Sequence, residues 1–315
     1  MTQIFTLAIH GGAGTLKREM MTGELEADFH RGLAACLRAG HAVLAAGGCA
    51  LDAVTEAVVA LENDPKFNAG HGAVLTTDGR PEMDAAIMDG RCREAGAVAG
   101  ILGPKNPIRA ARAVMEHSPH VLLIGDGAMR FCRDQKLEFA PETWFVTERR
   151  VAALQAVLQA RGAGRNHDDP ATKHGTVGAV ARDIHGNLAA ATSTGGMTAK
   201  MPGRVGDCPV IGAGTFADNA SCAVSCTGHG EFFIRWAAAH EISARMRLLG
   251  EGLHTAASTV IEELRKVGGD GGLIAIDATG NVSLPFNSQG MYRGTIGPDA
   301  IPRTAIFTET LRAEN

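Results

Sequence analysis

The sequence predicts an α+β fold in which two β-sheets pack together and helices cover both outer faces. Two observations carry this. In each half of the chain short apolar strands are flanked by paired amphipathic helices, which calls for sheet and helix layers in both halves. Aromatic residues make up only 4% of the chain while 40 residues are glycine, so the core is built from Ala, Val, Leu and Ile with many tight turns, which suits close layer packing.

Taken in order, Ile4 to Ile9 reads as a buried strand, and His10-Gly11-Gly12-Ala13-Gly14 as the tight turn ending it. Glu24 to Ala46 sets Leu25, Phe29, Leu33, Cys36, Leu37, Val43 and Leu44 at helical spacing and stops at Gly47-Gly48, a helix C-cap. Ala50 to Asn63 is a second helix. Val74 to Thr77 and Met83 to Met88 read as a hairpin around Asp78-Gly79, preceded by a turn at Asn68-Ala69-Gly70. A strand at Ala95 to Leu102, a helix at Pro107 to Glu116, a short strand at Val121 to Ile124 and helices at Gly127 to Gln135 and Glu148 to Ala160 close the first half. From Gly162 to His174 only two residues, both alanine, are apolar, so a mobile surface linker is expected there.

The chain restarts with TVGAVARDIHGNLAAATSTGG, a strand, a turn at His185-Gly186-Asn187, and a second strand. Val210 to Gly214 and Ala223 to Cys226 read as strands, Glu231 to Leu249 and Leu253 to Lys266 as amphipathic helices, and GGLIAIDATGNVSLPFNS as a hairpin. Its Asp277-Ala278-Thr279-Gly280-Asn281 echoes Asp183-Ile184-His185-Gly186-Asn187 as shared turn chemistry. The residues from Gly294 onward carry little pattern.

Charge and cysteine usage narrow the function class. Net charge is -4 without a long like-charge block, which argues against a nucleic-acid or membrane partner. The N-terminus lacks the basic region of a signal peptide, and seven cysteines, an odd number without a CxxC pair, suit free thiols in a reducing cytoplasm. Among twelve histidines there is no HExxH, and His117-Ser118-Pro119-His120 has no partner at zinc-like spacing. Gly268-Gly269-Asp270-Gly271-Gly272 lacks GK[ST] and follows a helix, so it caps that helix. The HGG stretch could supply oxyanion-hole amides, but no GxSxG elbow accompanies it.

Lys173-His174-Gly175-Thr176-Val177-Gly178, where the polar linker meets the apolar strand, has two readings. It is a loop entering a sheet, or Thr176 becomes a chain terminus. In the second case a free α-amine, with a reference pKa of about 7.7–8.0, acts as the base for its own hydroxyl. Cleavage after Gly175 would expose it, and glycine's conformational range would let the Gly175 carbonyl approach the hydroxyl. Downstream lie Thr192-Ser193-Thr194-Gly195-Gly196, Pro202-Gly203-Arg204-Val205-Gly206-Asp207 and Ser225-Cys226-Thr227-Gly228-His229-Gly230-Glu231. Arg204 and Asp207 form a solvated ion pair, or they grip the carboxylate and ammonium of one amino-acid ligand. His229 caps the helix that follows it, or touches a leaving group.

HGGAG, FNAGHGAV, HGTVGAV, ATSTGGMTAKMPGRVGD and SCTGHGE, in this order and with the closing GGLIAID and GMYRG, resemble the plant-type L-asparaginase and isoaspartyl peptidase family of N-terminal-nucleophile hydrolases. The resemblance implies a four-layer αββα sandwich with mainly antiparallel sheets in one domain over 1–315. Autocatalytic cleavage would give an α chain (1–175) and a β chain (176–315). It implies Thr176 as nucleophile, Thr194 assisting its activation, the Thr227 hydroxyl and Gly228 amide as oxyanion hole, and Asn68 orienting the amine. Arg204 would hold the substrate α-carboxylate, and Asp207 with the Gly230 carbonyl its ammonium. Carbonyls of Leu61, Glu62, Asp64, Phe67, Ala69 and His71 would bind a structural sodium ion, with no cofactor for catalysis. The implied substrates are L-asparagine and β-aspartyl dipeptides, and the implied assembly a homodimer of αβ units. His-Gly-Thr in place of His-Asp-Thr weakens a glycosylasparaginase activity. An unprocessed, amino-acid-binding homologue is the reading from a different class.

Overall fold

A computed structural model describes residues 5–14, 18–163 and 175–314. The first half contains β1 (Thr6–Gly14), α1 (Gly23–Ala45), α2 (Ala50–Asn63), β2 (Met83–Asp89), β3 (Ala95–Ile101), α3 (Pro107–His117), β4 (Leu122–Ile124), α4 (Gly125–Asp134), α5 (Glu142–Phe145) and α6 (Glu148–Gly162). The second contains β5 (Val177–Arg182), β6 (Leu188–Thr194), β7 (Thr215–Ala217), β8 (Cys222–Gly228), α7 (Gly230–Trp236), α8 (Ala238–Ala244), α9 (Leu253–Lys266), β9 (Gly271–Asp277), β10 (Val282–Ser283), β11 (Gly290–Ile296), β12 (Arg303–Ala305) and β13 (Arg312–Ala313). Among the described residues, no helix is long and apolar enough to cross a membrane.

The strands make two sheets. One has nine strands in the order β13-β12-β11-β1-β5-β6-β2-β3-β4, the other four in the order β10-β9-β8-β7. All named pairings are antiparallel except β3 with β4. Side chains on a strand alternate between faces, and the alternation sorts the core. Leu7 and Ile9 of β1 and Val177, Ala179 and Ala181 of β5 pack with Leu33, Leu37, Val54 and Val58 of α1 and α2. Ala8 and Val180, pointing the other way, pack with Val224, Leu273 and the residues of α8 and α9. Helices, sheet, sheet and helices thus form four layers, as expected.

Several elements depart from the expectation. His10 to Gly14 is no turn: β1 runs through it, pairing with β11 across a bulge between His10 and Gly12, where Gly12 has φ +113°. Val74 to Thr77 makes no hairpin with β2, because Thr76 bridges Lys200 and the Thr77 N–H donates to the Lys200 carbonyl. Val210 to Gly214 is coiled, since the N–H groups of Val210 and Gly214 both donate to the Asp207 carbonyl. The helix expected over Glu231 to Leu249 breaks at Ala237, in the left-handed region with φ +47°. The loop causes the break: the Ala239 and His240 N–H groups donate to the carbonyls of Ala213 and Gly212. The chain after Gly294, which shows little pattern, completes β11 and supplies β12 and β13. The linker expected over 162–174 lies outside the described residues beyond its first two, and α6 extends to Gly162. The two Asp-x-x-x-Asn turns do share their chemistry: Asp183 Oδ1 accepts from the His185 and Asn187 N–H groups, and Asp277 Oδ1 from those of Thr279 and Asn281.

Close approach of α3 to β3 rests on Gly96, where a Cβ would lie 2.1 Å from the Ala111 carbonyl oxygen. Gly96→Ala is therefore expected to destabilise the protein by about 1–3 kcal/mol in urea unfolding. Gly127→Ala, in the exposed face of α4 with nothing within 4 Å, is expected to be neutral or to stabilise by up to about 1 kcal/mol.

Candidate active site

Thr176 lies immediately before β5, buried at the edge of the space between the two sheets. Two neighbouring strand ends bring hydroxyls to it. Thr194, the last residue of β6, has Oγ1 3.3 Å from Thr176 Oγ1 and donates to the Gly175 carbonyl at 3.3 Å. Thr227, near the end of β8, accepts the Thr176 N–H at 3.3 Å and the Ala13 N–H at 3.1 Å. Both contacts use its lone pairs, so its own proton remains to be given. Gly12 passes so close that a Cβ there would sit 2.7 Å from Gly175 Cα. Room is tight at Gly175 too: a Cβ there would approach Asn68 Cβ to 3.3 Å.

Asn68 is therefore beside the junction, but its side chain is engaged elsewhere in the uncut chain. Its Nδ2 donates to the Gly196 carbonyl at 2.7 Å and its Oδ1 accepts the Val74 N–H at 2.8 Å. Gly196 is the link to the second part of the site. Its N–H donates to Thr194 Oγ1 at 2.9 Å, and a Cβ on it would lie 3.3 Å from Arg204 Nη1.

Arg204 does not form the solvated pair with Asp207. It binds Glu231 through Nε (3.0 Å) and Nη2 (2.9 Å), a side-on grip that leaves the Nη1–Nη2 edge of the guanidinium for a second carboxylate. Asp207 is buried, and its Oδ2 has no hydrogen-bond partner. Burial pushes its carboxyl up to about 7, against the pull of Arg204. A Cβ at Gly230 would meet Asp207 Oδ1 at 2.7 Å and Arg204 Nη2 at 3.1 Å, so both charges converge there. A hydrogen-bond donor to Oδ2 is what this carboxylate lacks. Gly228, with φ +151°, ends β8 beside Gly271.

The sequence reading missed three contributors. Glu231, which closes the Ser225–Glu231 cluster, is one: its carboxylate holds Arg204. Lys200, buried, has Nζ 3.1 Å from the Cβ position of Gly196 and adds a second positive charge near Arg204. Glu62 enters through its side chain: Oε1 accepts from the Ile108 N–H at 2.9 Å, at the start of α3, and from Ser193 Oγ at 2.6 Å, next to Thr194. His229 does not cap α7 with its side chain; its Nε2 lies 3.3 Å from Glu231 Oε2.

The loop from Leu61 to His71 curls on itself. The carbonyls of Leu61, Asp64 and Ala69 accept the N–H groups of Asp64, Phe67 and Gly72, each keeping a second lone pair. A Cβ would lie 2.4 Å from the Glu62 carbonyl at Gly70 and 2.1 Å from the Phe67 carbonyl at Gly72. Glycine at both positions therefore lets the backbone close on itself here.

The asparaginase family model matches residues 3–306. The isoaspartyl peptidase of Salmonella typhimurium (strain LT2) is 51% identical over 308 residues, 96% of this chain and 98% of that protein. The isoaspartyl peptidase of Escherichia coli (strain K12) is likewise 51% identical, covering 96% of each chain. An Arabidopsis thaliana protein named probable isoaspartyl peptidase/L-asparaginase 2 is 40% identical over 326 residues, 96% of this chain and 99% of its own.

The burial of Asp207 fixes the sign of a pH effect. Its folded-state pKa, about 7, is above the unfolded value, so it favours the folded state at low pH, and that contribution is lost as pH rises from about 4 to about 7. Asp207→Asn is expected to raise Tm at pH 8, with the gain disappearing toward pH 4 in a pH series of thermal melts.

Proposed function

The chain belongs to the asparaginase family, and we propose that it is an isoaspartyl peptidase and L-asparaginase activated by cleaving itself between Gly175 and Thr176. The observation that carries this is the convergence of Thr194 and Thr227 on the Gly175–Thr176 junction, within one peptide of a paired cation and unsatisfied carboxylate.

In maturation the Thr176 hydroxyl attacks the Gly175 carbonyl carbon, with Thr194 donating to the carbonyl oxygen. The C–N bond breaks, the acyl group moves to Oγ, and water hydrolyses that ester to leave an α chain of 1–175 and a β chain of 176–315. The new α-amine then serves as base for the hydroxyl on its own residue. Asn68, packed beside Gly175, orients that amine once Gly175 withdraws.

In turnover Arg204 holds the substrate α-carboxylate, and Asp207 with the Gly230 carbonyl holds its ammonium. The side-chain carbonyl carbon meets Thr176 Oγ. The Thr227 hydroxyl and Gly228 amide donate to the oxyanion, the amine passes its proton to the departing nitrogen, and a β-aspartyl ester remains for water to cleave. Ammonia leaves from asparagine, and an amino acid leaves from a β-aspartyl dipeptide. Recognition is of the aspartyl half, so one site serves both.

The Leu61–His71 loop holds a structural sodium ion through its carbonyls, and catalysis uses no cofactor. The working unit is a homodimer of αβ units acting on small molecules in the cytoplasm, a setting that seven free cysteines suit.

Purified protein is expected to run as two fragments meeting at Gly175/Thr176, while Thr176→Ala stays one chain and is inactive; a Thr176→Ala variant that still hydrolyses β-aspartyl dipeptides removes the nucleophile assignment. Thr227→Val should lower kcat on the order of 10²–10³-fold with KM little changed. Replacing sodium by choline should lower Tm, and an unchanged Tm would take the ion out of the account.

A further inference from the structure

Behind Thr176, on the face of the large sheet that meets the small one, lies a buried row of polar side chains that the proposed chemistry does not use. In the β1–β5–β6 register His10 stands opposite Gly178, and Gly178 opposite Thr192. Gly178 leaves a slot between them, and Ser225 of β8 fills it from the other sheet: a Cβ on Gly178 would lie 2.0 Å from Ser225 Oγ and 2.5 Å from His10 Nε2. His10, Thr192, Thr215 and Ser225 are all fully buried. The contacts form one chain, from His10 Nδ1 to the Thr176 carbonyl oxygen (2.9 Å), His10 Nε2 to Ser225 Oγ (2.9 Å), Ser225 Oγ to Thr192 Oγ1 (2.7 Å) and Thr192 Oγ1 to Thr215 Oγ1 (2.7 Å).

Proton counting gives this chain a single direction. A carbonyl oxygen can only accept, so the hydrogen of the His10 ring is on Nδ1. The ring is fully buried, and burial pushes its pKa down to about 3, so it is neutral and Nε2 carries a lone pair. Ser225 must give its one proton to that lone pair. Ser225 then accepts from Thr192, and Thr192, its proton spent, accepts from Thr215. Thr215 gives its one proton to Thr192 and so has none left for the Cys208 carbonyl oxygen 3.0 Å away, and the directed chain ends at Thr215.

We propose that His10 is a positioning residue: the Ser225–Thr192–Thr215 hydroxyl chain locks it in the Nδ1–H tautomer, and through the Thr176 carbonyl it fixes the nucleophilic residue against its substrate. This rests on Thr176 being the nucleophile. The row lies behind the reacting atoms and touches no substrate atom. Its contribution is geometric, and small displacements of a reacting group cost rate more than affinity.

The test uses the full chain with ¹⁵N-labelled histidine and three variants. His10→Asn keeps an N–H donor near the position of Nδ1, His10→Ala removes it, and Ser225→Ala removes the donor to Nε2. Kinetic constants are taken per cleaved chain, and the cleavage rate is measured alongside. For His10→Ala a loss of about 100-fold in kcat is expected with KM within about twofold, with His10→Asn recovering most of it. Ser225→Ala should lower kcat about 10-fold while leaving the fold intact by thermal melt, and variants that mature slowly are expected to keep the same ranking in cleavage rate. Long-range ¹H–¹⁵N spectra of the Thr176→Ala chain, with His10 assigned by its loss in His10→Asn, should show the Nδ1–H tautomer, and Ser225→Ala should mix the tautomers. An Nε2–H tautomer in the parent chain overturns the proposal. So does a Ser225→Ala protein whose kcat is unchanged while only Tm falls. Activity surviving in Thr176→Ala would instead overturn the nucleophile reading on which the proposal rests, whatever the His10 variants do.

Discussion

The structure depends on the junction at Gly175–Thr176 being buried where the ends of β6 and β8 meet the start of β5. A hydroxyl at the surface is solvated and inert. Here the Thr176 oxygen, the Gly175 carbonyl and the Thr176 N–H are all held by two other threonines at 3.3 Å. These separations are at the long end of hydrogen bonding, as befits groups that tighten only as charge develops. The four layers matter to function mainly because two sheets from different parts of the chain must be packed before Thr227 can face Thr176.

Two buried carboxylates close to the site carry a cost in stability. Asp207 and Asp84 each bury a carboxylate oxygen without a hydrogen-bond partner, and burial raises both carboxyls above their ordinary range. A hydrocarbon in either place would fold more easily. Asp207 faces Gly230 together with Arg204, and in the proposed function its missing partner is the substrate α-ammonium. Glu231 solves the complementary difficulty. Without it the guanidinium of Arg204 would be free to swing; with its Nε edge fixed, it presents one planar edge to a ligand carboxylate.

What could be read in the sequence was whatever is local. Helices α1, α2, α3 and α9 lie within a residue of the bounds that the sequence predicts, α1 and α9 stopping at their glycine caps, and the turns with Asp-x-x-x-Asn are plain in the sequence. Thr176, Thr194, Arg204, Asp207 and Thr227 stand in short hydroxyl-and-glycine clusters that the structure does bring together, Gly196 forming the link. What escaped was decided by distant partners. β1 continues through HGGAG because β11, about 280 residues away, pairs with it, and nothing near Gly290 signals that. The long helix breaks at Ala237 because the Gly212–Ala213 carbonyls compete for its N–H groups. Glu62 and Glu231 looked like ordinary surface acids of helices, and only the fold shows one capping α3 and the other bracing Arg204.

The central claim is that the Thr176 hydroxyl, freed as a chain terminus, carries the substrate acyl group. Acid quenching during turnover of a β-aspartyl dipeptide, followed by mass spectrometry of the proteolytic peptides, tests it directly. The peptide beginning at Thr176, digested under acid so that the ester survives, is predicted to gain one aspartyl residue. An aspartyl adduct on any other residue, or steady turnover by protein whose Gly175–Thr176 bond is intact, would contradict it.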